Sequence, residues 1–126
     1  QQLGDGAIGM ETSYMYSAAH DSDTNREFLA KFAEVNPGAT VNPATVMAFD
    51  GMHVLYEMIA ATDGKRDPEA AMTAVKGFAW ESPRGPVHID ADTRQIIQNI
   101  SIRRVERADD GLLINKEIKT YENVAP

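Results

Sequence analysis

The segment that most constrains the fold of this chain runs from Asn42 to Ala61. Asn42-Pro43 supplies a helix N-cap followed by a proline at the first helical position, so we predict a helix that continues to about Ala61. The large apolar residues of this helix lie on more than one of its faces: Val46, Met47, Phe49, Met52, Val54, Leu55, Met58 and Ile59. Because such a helix is usually buried between two layers, we expect a sheet or other helices to cover it on more than one side.

Two shorter elements precede the long helix. Residues 7–13 follow a Gly-Asp-Gly turn and predict a short strand, which Gly9 weakens. Thr24 and Glu27 have the spacing of a capping box, and apolar residues at helical spacing follow them. We therefore predict a helix that begins at Thr24 and ends at the Asn-Pro-Gly sequence of residues 36–38.

The C-terminal half changes from a helical to a strand-like period. Asp67-Pro68 repeats the cap-and-proline pattern and predicts a third helix. Alternating apolar residues then predict three strands, which lie at residues 87–90, 100–105 and 112–118. We expect a bulge near Arg103-Arg104, where the alternation slips, and a hairpin turn at Asp109-Asp110-Gly111.

The predicted order is one strand, three helices and then a three-stranded antiparallel region, which is typical of an α+β chain. A lone first strand needs a partner, and three antiparallel strands cover the long helix on one side only. The order of elements therefore predicts that the chain is part of something larger.

Composition excludes several classes of protein. The chain has 126 residues, 43% of them hydrophobic and 25% charged, which is typical of one globular domain. A formal net charge of −7 disfavours nucleic-acid binding, since a phosphate backbone would be repelled. Cysteine is absent, which excludes disulfides and thiolate chemistry. No apolar run approaches the roughly 18 to 20 residues of a membrane span, so we expect a soluble chain, either cytoplasmic or already processed.

Two groups of polar residues have spacings that metal ligands use. His53 and Glu57 stand four apart on the long helix and so share a face. His88, Asp90 and Asp92 alternate along an extended segment and point the same way. The first group has no evident third ligand and no second histidine near by, and the second lacks the glycine-bearing turn and the late carboxylate of a calcium loop. The usual nucleophile and phosphate-binding motifs are missing. We expect neither a metal, nor a cofactor, nor a catalytic centre.

Tyr14, Met15 and Tyr16 follow the first predicted strand and precede the polar loop of residues 17–23. Strand ends that lead into loops are where open α/β sheets place ligands, and an aromatic side chain with a hydroxyl can orient a solute. The alternative is ordinary core packing. The residues themselves leave both interpretations open.

Taken together, several short motifs resemble a known family. In order, they are the stretch from Gly9-Met10 through Tyr16, the polar stretch Asp21 to Asn25, the helix Phe28 to Val35, the sequence Ala48-Phe49-Asp50-Gly51 at the start of a helix, the turn Arg84-Gly85-Pro86 before the strand Val87 to Asp90, and the strand pattern Ile100-x-Ile102-x-x-Val105. Their order and spacing are similar to the last third of periplasmic solute-binding proteins of the branched-chain amino acid type, which have the type I periplasmic binding protein fold.

The resemblance implies an architecture that is larger than this chain. Proteins of the family are two-lobed α/β receptors, roughly three times longer, whose lobes close on a small solute. On this comparison residues 1–126 form a C-terminal fragment. Residues 1–20 and 80–126 would supply strands of the second lobe, and residues 21–79 would supply helices that return to the first lobe.

The resemblance also implies a function and a set of ligand-binding residues. Ser13 and Tyr14 fall where the family's strand end faces the cleft, and Tyr16, Phe49 and Asp50 complete the implied set. The solute would be an amino acid or a related carboxylate, aromatic acids among them.

The implied partner is the membrane permease of an ABC importer, and the implied location is the periplasm. An isolated fragment is expected to self-associate. The alternative is a small complete α+β enzyme or regulatory domain with a His/carboxylate site.

Overall fold

The computed structural model describes residues 4–126, so the first three residues of the predicted segment 1–20 lie outside the described residues. The elements follow one another as a 3-10 turn Gly4–Ala7, strand β1 Glu11–Tyr14, helices α1 Asp23–Val35, α2 Pro43–Ala61 and α3 Pro68–Ala74, and strands β2 Ala79–Ser82, β3 Gly85–Ile89, β4 Ile96–Arg107 and β5 Leu113–Val124. No helix in this range is long and apolar enough to cross a bilayer.

The helix ends depend on side chains next to them in sequence. The predicted start of α2 is confirmed: Asn42 and Thr45 form a reciprocal capping box, and Pro43 occupies the first turn. Asp67 caps α3, where its carboxylate accepts a hydrogen bond from the Ala70 backbone nitrogen and Pro68 occupies the first turn. The predicted start of α1 is wrong, because Ser22 and not Thr24 is the N-cap, with the Ser22 hydroxyl accepting a hydrogen bond from the Asn25 backbone nitrogen. Thr24 lies inside the first turn and cannot cap it.

The five strands form one antiparallel sheet around β4. β5 pairs with β4 along nearly its whole length, while β3 and β1 pair with its first and second halves. The predicted bulge is confirmed, since the register of β4 against β5 shifts between Ile102 and Arg103. The predicted turn at residues 109–111 also joins these two strands, and Gly111 there has a positive φ of 83°.

The N-terminal strand differs from its prediction. Part of the predicted span is a 3-10 turn, and the strand itself runs from Glu11 to Tyr14. The strand also has a partner within the chain, since Glu11 pairs with Arg104 and Tyr14 pairs with Ser101. The expectation of an unpaired first strand is therefore wrong. A partner about 90 residues away in sequence leaves no local signal.

The structure adds a strand, β2, which makes a tight hairpin with β3. Ser82 pairs with Gly85 across the turn, and Gly85 has a φ of +92°, a conformation that glycine adopts without strain. Four residues, Ala-Trp-Glu-Ser, are too few for a periodic signal, so this strand depends on its pairing with β3 rather than on its own sequence.

The helices pack onto the sheet through a small core. Tyr16, Phe28 and Val46 form its buried cluster. Helix α2 buries Val46 and Asp50, but six large apolar residues of this helix remain 44% to 61% exposed: Met47, Phe49, Met52, Leu55, Tyr56 and Ile59. The expectation that α2 is covered on more than one side is therefore not met within residues 4–126. We call these six residues the α2 apolar face.

Candidate functional site

The end of β1 presents two of the predicted ligand-binding residues to solvent. Ser13 and Tyr14 are both exposed, Tyr14 by 43%. The guanidinium carbon of Arg103 lies 5.2 Å from the centre of the Tyr14 ring, within the range of a cation–π interaction. The Tyr14 ring is therefore held beside a positive charge while one side of it stays open.

Tyr16, two residues further on, is part of the core. Its side chain is 2% exposed, and its hydroxyl donates a hydrogen bond to Oδ1 of Asn25 at 3.0 Å. Asn25 in turn donates to the backbone oxygens of Ala18 and His20. Burial, and then the charge of Glu117, raise the pKa of Tyr16 to about 12. This hydroxyl stays protonated and fixes the loop after β1 against α1.

Arg103, on β4, is the residue of this region that the sequence analysis missed. Its Nη1 donates to the backbone oxygen of Tyr16 at 2.5 Å, and its Nη2 donates to Oγ1 of Thr12 at 3.0 Å. One signal was available: neighbouring residues of a strand point to opposite faces, so one of Arg103 and Arg104 has to face the covered side of the sheet. Arg104 pairs with the exposed Glu11, which leaves Arg103 for that side.

A cavity of about 300 Å³ adjoins Arg103. The loop after β1, the start of α2 and the first residues of β5 form its wall, and its polar or charged side chains are those of Tyr16, Ser17, Thr40, Asn42, Arg103 and Asn115. Ser17 closes one side by donating a hydrogen bond to the backbone oxygen of Asn115. This volume is at the lower end of the range for small-molecule sites, which suits a ligand with a single ring.

Asp50 has a different environment. Its carboxylate is buried and accepts hydrogen bonds from Trp80 Nε1 at 3.1 Å, Ser82 Oγ at 3.0 Å and Arg84 Nε at 2.8 Å. Arg84 also donates to Oε1 of Gln98. These contacts join α2 to the β2–β3 hairpin, and three donors leave the carboxylate little capacity for a ligand.

A second cavity, of about 330 Å³, lies beside this Asp50 network, with Met15 and Trp80 in its lining. Phe49 lies elsewhere again, where its ring meets the ring of Phe28 edge to face at 5.0 Å. The structure thus brings Tyr14 together with Arg103 and places Tyr16 in the wall of the cavity beside Arg103. Ser13 pairs with Ile102, so its side chain points to the opposite face of the sheet from Arg103. Asp50 and Phe49 have other surroundings.

Residues of the two groups with metal-ligand spacing, His53 with Glu57 and His88 with Asp90 and Asp92, contact other parts of the chain. The ring of His53 packs at 5.8 Å against those of both Phe78 and Trp80. Asp90 accepts hydrogen bonds from the backbone of Asp92 and from the backbone and hydroxyl of Thr93, and the Thr93 bonds lower the pKa of Asp90. Across the described range, no three His, Asp or Glu side chains come together in a way that would hold a metal ion.

Comparisons with known proteins agree with the resemblance in sequence. A relative from Brucella abortus, Leu/Ile/Val-binding protein homolog 6, is 52% identical over 122 residues, which are 95% of this chain and 31% of the relative. The chain therefore spans about a third of the length of the relatives it matches.

Solved structures give the same picture. A solute-binding protein of an ABC transporter from Rhodopseudomonas palustris HaA2, in complex with p-hydroxybenzoic acid, is 44% identical with a TM-score of 0.91, over 99% of this chain and 34% of that one. One from R. palustris BisB5, in complex with 3,4-dihydroxybenzoic acid, is 45% identical with a TM-score of 0.90, over 96% of this chain and 33% of that one.

These structures share the type I periplasmic binding protein fold and confirm the predicted α/β class. The family model described as periplasmic binding protein matches residues 1–111. The chain therefore belongs to the periplasmic binding protein family.

Proposed function

We propose that this chain is the C-terminal part of a receptor that binds small aromatic carboxylates, 4-hydroxybenzoate among them, and delivers them to an ABC importer. The observation that carries the proposal is that two structures with TM-scores of 0.90 and above, at 44% and 45% identity, hold hydroxylated benzoic acids. In this proposal the protein binds and releases its solute without catalysing a reaction, and it works in the periplasm.

The lining of the cavity beside Arg103 favours a solute that has a carboxylate but no amine. An amino acid solute needs a negative group to bind its ammonium, because a buried charge without a partner is costly. Among the described residues, neither an aspartate nor a glutamate lines this cavity. Leucine-like amino acids remain the second candidate class, because the relative that is 52% identical carries the name of a Leu/Ile/Val-binding protein homolog.

The relatives' length supports a longer receptor of which this chain is one part, and we propose that this receptor has the two lobes of its family. Because the chain corresponds to about a third of each relative, other segments of the receptor would supply the rest of the pocket. We further propose that residues 1–20 and 80–126 belong to the second lobe and residues 21–79 to the first. Closure of two lobes over a solute would then be a hinge motion.

Isothermal titration calorimetry of the complete receptor that contains these residues tests the function. We expect 4-hydroxybenzoate to bind at micromolar concentration or below and leucine to bind at least tenfold more weakly, which corresponds to about 1.4 kcal/mol. A preference for leucine would favour the second candidate class. Binding of neither solute, nor of benzoate, would contradict the proposal.

The 126-residue chain by itself provides a second measurement. We expect it to bind these solutes weakly or not at all, because it would lack the other wall of the cleft. A micromolar affinity of the isolated chain for one solute would show instead that the pocket lies within residues 1–126.

A further inference from the structure

Arg103 is held in one orientation by uncharged groups. Its two terminal nitrogens each donate one hydrogen bond, to the Tyr16 backbone oxygen and to the Thr12 hydroxyl, and its guanidinium lies over the Tyr14 ring. Each terminal nitrogen of an arginine carries two N–H groups. One N–H on each nitrogen is therefore left over after these contacts.

The charge of Arg103 is not neutralised by an ion pair. Four other arginines, Arg26, Arg84, Arg104 and Arg107, each pair with a carboxylate. Within residues 4–126, no aspartate or glutamate oxygen lies within 4.0 Å of the Arg103 nitrogens.

The nearest acid in the sheet register is already engaged. Glu117 pairs with Arg103 across β4 and β5, but its Oε2 lies 2.8 Å from Nδ1 of His20. The Nε of Arg103 is buried and has no acceptor among the described residues. Burial lowers the pKa of Arg103, against the opposing effect of the Glu117 charge. A half-buried cation in this state stabilises any anion that comes into contact with it.

The adjoining cavity matches this charge. Arg103 is the one charged residue in the lining that the structure describes, although the chain as a whole carries a net charge of −7. The remaining lining is apolar or carries neutral hydroxyl and amide groups. An anion with one aromatic ring would therefore find a single positive group at this wall.

We propose that Arg103 is the residue of this chain that binds the carboxylate of the solute, and that Tyr14 keeps the guanidinium in place from its other side. This inference rests on the proposed function and deepens it. In this arrangement the free N–H groups of the Arg103 terminal nitrogens donate to the carboxylate oxygens. Arg103 then selects for acids over neutral analogues of the same shape, since charge-assisted hydrogen bonds are about twice as strong as neutral ones.

The test compares an acid with its neutral analogue in the complete receptor. Calorimetry measures the affinities of 4-hydroxybenzoate and 4-hydroxybenzamide for the wild type and for Arg103→Gln. We expect the wild type to prefer the acid and the variant to lose roughly 10- to 100-fold in affinity for the acid while its affinity for the amide changes little. Arg104→Gln is the matched control, because it removes the neighbouring arginine, whose partner is the exposed Glu11.

A folding defect is separated from a binding defect by the ratio of the two affinities. A misfolded protein would lose the acid and the amide together, whereas loss of the carboxylate contact removes the preference alone. If Arg103→Gln does not fold, Arg103→Lys takes its place. Lysine keeps the positive charge but lacks the planar guanidinium with its paired N–H donors. We expect Arg103→Lys to bind the acid several-fold to about tenfold more weakly than the wild type.

The outcomes distinguish this inference from the proposed function. If the wild type binds 4-hydroxybenzoate or benzoate and the Arg103 variant keeps the full preference for that acid, the inference is wrong and the proposed function stands. If the wild type binds neither of these acids nor leucine, both are wrong. If leucine is the solute and Arg103→Gln weakens it at least tenfold while Arg104→Gln does not, the inference stands and the solute class is revised.

Discussion

Arg84 donates a hydrogen bond from Nε to Oδ2 of Asp50 at 2.8 Å, and neither side chain is more than 5% exposed. The two residues stand 34 positions apart and join the middle of α2 to the turn between β2 and β3. Trp80 and Ser82 donate to the same carboxylate. The pair therefore fixes the long helix onto the sheet at one buried point.

We predict that Asp50→Asn destabilises the chain by about 3 to 5 kcal/mol, because the substitution leaves the Arg84 charge buried without a partner. The free energy of unfolding in urea, followed by circular dichroism, measures the effect. Glu11→Gln is the control, since it removes the exposed partner of Arg104 and should cost less than about 1 kcal/mol. Equal losses in the two variants would mean that burial does not set the strength of the Asp50 pair.

The pair between His20 and Glu117 predicts a pH-dependent contribution to stability. The hydrogen bond to Glu117 raises the pKa of His20 in the folded chain. A raised pKa means that the stabilisation is fully present below the unfolded value of about 6.5 and is lost as the pH rises through the higher folded value.

The check is the difference in unfolding free energy between the wild type and His20→Gln, measured from about pH 5 to about pH 9. We expect a larger difference at the acidic end. Glu117→Gln should remove most of the same pH dependence, because it removes the main group that raises the pKa of His20. A difference that stays constant over this range would rule out the linkage.

The α2 apolar face predicts self-association of the isolated chain. Leu55, near its centre, is 47% exposed, and burial of each such side chain contributes about 1.5 to 3 kcal/mol. We expect light scattering to give a mass above that of a monomer, and we expect Leu55→Glu to shift the chain toward the monomer. Gln95→Glu adds the same charge at an exposed position of the loop between β3 and β4, outside the α2 apolar face, and should change nothing. A wild-type monomer would contradict this prediction.

We predict that alanine substitutions at two glycines change the stability of the chain in opposite directions. Gly51 lies in α2 with open space where a Cβ would stand, so Gly51→Ala should stabilise the chain by about 0.5 to 1 kcal/mol. Gly85 has a φ of +92°, so Gly85→Ala should destabilise it by about 1 to 2 kcal/mol. Thermal unfolding of the two variants measures both effects. A gain in stability from Gly85→Ala would show that the β2–β3 turn relaxes to another conformation.

The amino-acid sequence by itself determined the features that depend on neighbouring residues. The side chains of Asn42 and Asp67 accept hydrogen bonds from backbone N–H groups within four residues, and a proline follows each of them. These local sequences therefore determine where α2 and α3 begin. The turn at residues 109–111 and the bulge at Ile102 and Arg103 are local in the same sense. The order of short motifs was enough to indicate the family.

Only the tertiary structure decided which distant residues meet. Even at short range the sequence did not decide the N-cap of α1. Ser22 and Thr24 are both residue types that cap helices, and the path of the preceding loop selects Ser22. At long range, Arg103 contacts Tyr16 across 87 positions and Arg84 contacts Asp50 across 34. Such contacts depend on strand register and on the packing of α2 onto the sheet. The physical reason is that the sequence specifies the charge and shape of each side chain, whereas the free energy of the whole fold decides which distant side chain or backbone group it contacts.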